Sequence, residues 1–86
     1  MKIEKKIWPE YFGMVKSGTK NFELRLADFR CKPGDVLVLR EWNPRSREYT
    51  GRRIEKRVRE VFRTKGQRFY TKKDVDRYGF QVIGFR

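Results

Sequence analysis

The run Val36-Leu37-Val38-Leu39 constrains this chain more than any other stretch. It is β-rich and apolar on both faces, so it predicts a strand covered on both sides and therefore central. Lys32-Pro33-Gly34-Asp35 precedes it as a strong turn signal, and Arg40, Glu41 and Trp42 continue it. The core around it has to be modest. Only 37% of the 86 residues are hydrophobic, although 15% aromatics offset this because each ring buries a large area. Charged residues at 40%, with aromatics this frequent, predict one folded domain with a heavily charged surface.

Upstream, residues 2–7 read as a short first strand with Ile3 and Ile7 as its apolar members. Lys2, Lys5 and Lys6 make it an edge or a solvated rim. Trp8-Pro9-Glu10 opens a helix, since proline is tolerated in the first turn and a carboxylate suits the positive end of the dipole. Tyr11, Phe12, Met14 and Val15 form its apolar stripe, and Ser17-Gly18 ends it. Lys20 to Leu26 then alternates, with Phe22, Leu24 and Leu26 on one face and Asn21, Glu23 and Arg25 on the other. This predicts a half-buried strand whose solvated face carries the charges.

Downstream, Asn43 to Gly51 is a polar hairpin tip. Arg52 to Phe62 fits both a helical stripe and an interrupted period-2 strand. Its position after a hairpin tip favours a long, bulged strand. Thr71 to Asp74 has the spacing of a helix cap, and Gly79 to Phe85 reads as a last strand. The sum is an α+β chain, mainly β: about five strands in a small curled sheet or barrel, with one main helix against one side.

The chain carries 23 basic and 11 acidic residues, a net charge of +12. That field attracts polyanions, with nucleic acid the first suspect and anionic membrane the second. No apolar run is long enough to span a bilayer, and residues 1–7 mix charges where a signal peptide would be apolar. The lone Cys31 excludes an intramolecular disulfide and fits a reducing cytoplasm. Histidine is absent, which removes the commonest general base and, with a single cysteine, the usual structural zinc sets. No cofactor or metal is expected.

Two groups of residues can carry function. Lys20, Glu23 and Arg25 place three charges of mixed sign within six residues, and such a trio either grips a polar ligand or neutralises itself. Arg53, Arg57 and Arg59 project from one face of the expected strand with Glu55 between them. A row of guanidinium groups suits phosphate, and equally it keeps an exposed hairpin from pairing edge to edge. Trp42 and Tyr49 flank the basic hairpin and are candidates for stacking unpaired bases.

The run Trp8-Pro9-Glu10-Tyr11-Phe12, then Ser17-Gly18-Thr19-Lys20 and Phe22-Glu23-Leu24-Arg25, resembles the start of an ASCH domain, whose motif reads Gly-x-Lys-x-x-Glu-x-Arg. Gly18, Lys20, Glu23 and Arg25 fill all four positions. The turn at Pro33-Gly34-Asp35, the continuation Arg40-Glu41-Trp42 and the closing Gly79–Phe85 segment extend the likeness over nearly the whole chain, in particular to a short, uncharacterised branch of that group. The resemblance implies a PUA-like β-barrel with a helix beside a cleft, and the motif residues at the cleft. It implies RNA as partner. Some relatives instead hydrolyse the amide of an acylated cytidine nucleoside. They keep a lysine where Lys20 stands but use a threonine nucleophile where this chain has Glu23.

The expectation is therefore a single cytoplasmic domain over residues 1–86, its oligomeric state open with a monomer favoured, that binds RNA through Lys20, Glu23, Arg25, Trp42, Arg53, Arg57 and Arg59. The alternative is an amidohydrolase of a modified nucleoside with Lys20 and Glu23 as the acid/base pair.

Overall fold

The computed structural model describes residues 1–83 and 85. Among them the elements run β1 (Lys2–Ile7), α1 (Pro9–Ser17), β2 (Val36–Asn43), β3 (Glu48–Arg57) and α2 (Lys72–Tyr78). The three strands form one sheet in the order β1-β2-β3. Strand β2 is central, as its two apolar faces require: Val38 and Leu39 are each 1% exposed. The fold is thus a small α+β unit, mainly β.

Strands β1 and β2 pair in parallel, Lys2 opposite Val36 through Ile7 opposite Glu41. A parallel pair needs a crossover, and α1 lies within it. Pro9 opens the helix, and Gly18 closes it in the left-handed region at φ 83°, its N–H donating to the Val15 carbonyl. Phe12 and Val15 face the sheet and join Ile7 and Leu39 in the buried core, with Leu37 and Ile54 packed against it. Each fully buried side chain of this kind stabilises by ~1.5–3 kcal/mol. With so few of them, the margin is narrow.

Strands β2 and β3 form an antiparallel hairpin, Val36 opposite Arg57 through Asn43 opposite Glu48. Asn43 organises the tip, its Oδ1 accepting from the Arg45 N–H at 2.9 Å and the Ser46 N–H at 3.4 Å. The register shifts between Arg40 and Trp42, where Gly51 takes φ 94°. Across the sheet this leaves Thr50 and Arg52 both reaching Glu41.

Several expectations are corrected. The described residues hold three strands rather than five, and the sheet is open rather than closed into a barrel. Residues 20–26 are irregular, and their alternation is inverted. Lys20, Glu23 and Arg25 are the sheltered members, while Leu24 and Leu26 are 74% and 81% exposed. The reason is how the polar groups of this segment are paired. The Lys20 N–H donates to the Met14 carbonyl and the Asn21 amide to the Gly18 carbonyl, while the Arg25 side chain, not a backbone N–H, takes the Lys6 carbonyl of β1.

The long strand expected over 52–62 is the other way displaced. Strand β3 begins inside the expected hairpin tip, at Glu48, and ends at Arg57. The expected last strand, Gly79–Phe85, is not a strand at its described positions, and Gly84 within it lies outside the described residues. The Thr71 cap holds: its side chain accepts from the Asp74 N–H and opens α2, a helix with no buried side chain.

Candidate functional site

Gly18 turns the chain out of α1, and the next residues fold back along the C-terminal end of β1. Glu23 lies between two cations there. Lys20 Nζ is 2.6 Å from its Oε1 and Arg25 Nε is 2.9 Å from its Oε2. The side chains of Lys20, Glu23 and Arg25 are 16%, 14% and 28% exposed, far more sheltered than an ordinary surface ion pair. Arg25 Nη2 also donates to the Lys6 carbonyl, which ties the motif to the sheet. Two cations on one carboxylate leave a net positive charge. Lys20 and Arg25 carry more N–H donors than these bonds use among the described residues.

The trio lines a concavity of about 640 Å³, within the range of small-ligand sites. Trp8, Tyr11, Met14 and Phe22 form its apolar wall. The Lys20 ammonium stands 5.2 Å from the Phe22 ring centroid and 5.6 Å from that of Tyr11. The cleft therefore offers flat rings beside positive donors, which suits a planar or anionic group. A second concavity, of about 730 Å³, lies by Ala27–Lys32 with Cys31, Asp35 and Arg63 on its wall. It is larger but holds none of the motif residues.

Lys6 also lines the cleft, and its ammonium sits 3.7 Å from the Trp42 ring centroid on the neighbouring strand. Trp42 packs edge-to-face on Tyr49, centroids 5.0 Å apart, and the Arg40 guanidinium stacks 3.9 Å from the Tyr49 centroid. Trp42 thus meets the cleft through Lys6. Sequence alone did not single out Lys6 or Arg40. Only the strand register could have done so, since it makes Lys6, Arg40 and Arg53 partners across the sheet.

The basic ribbon is split. Arg53, Glu55 and Arg57 alternate on the sheet face opposite α1, but Arg59 lies beyond the end of β3. Arg53 is 3.8 Å from Glu55, whose other oxygen is 2.9 Å from Lys2 Nζ. The Lys2 bond holds the Glu55 carboxyl below its ordinary value. Arg57 spends one donor on the Gly34 carbonyl at 3.2 Å. Of the seven residues expected to bind, the structure brings Lys20, Glu23 and Arg25 together at the cleft, reaches Trp42 through Lys6, and leaves Arg53 on the opposite edge strand, in register with Arg40 and Lys6. Arg57 lies at the other end of β3, and Arg59 past it.

Among the described residues no cluster of three or more Cys, Asp or Glu side chains is set to hold a metal. No helix there is long and apolar enough to cross a membrane.

What these elements define is a small α+β domain with a cationic, aromatic-walled cleft at one sheet edge. The model of a family described as Domain of unknown function (DUF3850) matches residues 3–77, and this chain belongs to that family. No curated protein and no solved structure matches it.

Proposed function

We propose that this chain is an RNA-binding module of the ASCH, PUA-like kind, working in the cytoplasm, where its lone thiol stays reduced. The observation that carries the reading is the Lys20–Glu23–Arg25 group: two cations oriented by one carboxylate at an aromatic-walled cleft. Glu23 sets the direction of both cations, so that their free donors meet a phosphate or a base edge. The net charge of +12 draws the polyanion in, and the basic hairpin extends the contact.

The hydrolase reading has less support. Both Glu23 oxygens already hold cations, and the hydroxyl next to Lys20 in sequence, Thr19 Oγ1, is 2.9 Å from Ser17 Oγ in a bond to that side chain.

Affinity for a labelled RNA hairpin, followed by fluorescence anisotropy across a salt series, tests the proposal. Affinity falls steeply with salt, and Lys20→Ala with Arg25→Ala weakens it more than Lys65→Ala with Lys73→Ala. Equal losses would reduce the site to generic charge.

A further inference from the structure

We infer that a single, unpaired RNA strand crosses the outer face of the sheet at right angles to β1, β2 and β3, with phosphates on the row Lys6–Arg40–Arg53 and a base on Tyr49. This rests on the RNA-binding reading above and adds the strandedness of the ligand and its path.

The face opposite α1 is built in rows. Register places Lys2, Val36 and Arg57 in one row, Glu4, Val38 and Glu55 in the next, and Lys6, Arg40 and Arg53 in the third. Beyond the third row stand Trp42 and Tyr49, partners across the hairpin. Neighbouring strands lie ~4.8 Å apart, so the three cations of the third row span roughly 10 Å.

The order of the rows directs the ligand. Glu4 and Glu55 repel phosphate from the middle of the face while bracing the cations: Arg40 is 3.7 Å from Glu4 and Arg53 is 3.8 Å from Glu55. The rings on the other side of the cation row attract bases. A backbone on the third row therefore puts its phosphates over Lys6, Arg40 and Arg53, and its bases towards Tyr49 and Trp42. Tyr49 is 40% exposed, and the Arg40 guanidinium already stacks on it, so a base can extend that stack.

A duplex presents phosphates but no free base face, which leaves the rings unused. The path also leads somewhere. Lys6 belongs both to the third row and to the wall of the cleft, so a strand leaving the row at β1 arrives at Lys20 and Arg25.

The test compares a labelled oligouridine decamer with a labelled ten-pair RNA duplex at one salt concentration. The decamer binds more tightly. Tyr49→Leu weakens decamer binding by roughly five- to a hundredfold, the range expected for one stacked base, and weakens duplex binding far less. Tyr49→Phe keeps the parent affinity. Arg53→Gln weakens both and lowers the salt slope by about one. Tyr49→Met replaces the leucine variant should circular dichroism show that it does not fold. Equal affinity for the two RNAs, with no effect of removing the ring, overturns the inference. The RNA-binding reading then survives if Lys20→Ala with Arg25→Ala still lowers affinity. No salt-sensitive binding to any RNA overturns both.

Discussion

Arg52 grips Glu41 through both carboxylate oxygens, Nε 2.8 Å from Oε1 and Nη2 2.6 Å from Oε2. The Thr50 hydroxyl donates to Oε1 as well, at 2.6 Å. The register shift around Gly51 is what lets two residues of β3 meet one residue of β2. The pair closes the helix-facing side of the sheet, where the Glu41 side chain is 3% exposed and the guanidinium carbon is 4.7 Å from the Phe12 ring centroid. A buried carboxylate is tolerated here because each oxygen has a charged donor.

Replacing Glu41 by Gln removes that charge match and turns an amide N–H₂ towards other donors. A loss of about 1–3 kcal/mol is expected. It is measured as a lower urea midpoint with an unchanged slope. Arg52→Ala acts in the same direction and also uncovers Phe12.

The inverted alternation of residues 20–26 is directly testable. Leu39→Ala, in the core, costs about 2–5 kcal/mol. Leu24→Ala and Leu26→Ala change stability by no more than about 0.5 kcal/mol, because both side chains already meet solvent. Chemical denaturation of the three variants decides it. Losses at Leu24 or Leu26 matching Leu39 would return those residues to the core.

Gly18 sits at φ 83°, and beyond its own chain neighbours no atom lies within 4 Å of where a Cβ would go. Gly18→Ala therefore meets no clash, only the left-handed backbone, and costs about 1–2 kcal/mol. The same change disturbs the step that presents Lys20. On the proposed RNA-binding reading, RNA affinity falls along with the melting temperature, both read on one sample series.

Glu23→Gln separates orientation from neutralisation. The variant gains one unit of net positive charge, which by itself favours RNA. If Glu23 aims Lys20 and Arg25, affinity drops despite that gain, by roughly tenfold for one misdirected charge-assisted contact. Anisotropy at two salt concentrations reads the outcome; tighter binding would show that the carboxylate merely offsets charge.

Stability should fall on the acid side. Glu41 is held below its ordinary value chiefly by the Arg52 bond, Glu55 by Lys2, and Asp35 by the Lys32 backbone N–H. Unfolding returns these groups to ordinary values, so the unfolded chain binds more protons. The contribution is complete above the ordinary carboxylate range, and it is lost as pH drops from about 4.5 through the lower folded values. Urea midpoints from neutral pH downward follow this decline, and Glu41→Gln makes it shallower.

Elements with local causes could be read directly from the order of residues. Pro9 and Gly18 bracket α1, Thr71 caps α2, and the doubly apolar Val36–Leu39 run becomes the central strand. It also marked Lys20, Glu23 and Arg25 as a group. Which side of the chain those charges take was decided only in three dimensions. Period-2 patterning buries Leu24 and Leu26, yet Arg25 takes the Lys6 carbonyl and Glu23 binds two cations, and these bonds outweigh the pattern. The roles of Lys6, Arg40 and the Glu41–Arg52 pair were equally out of reach. They depend on strand register and on a bulge, and register joins residues that no local spacing connects.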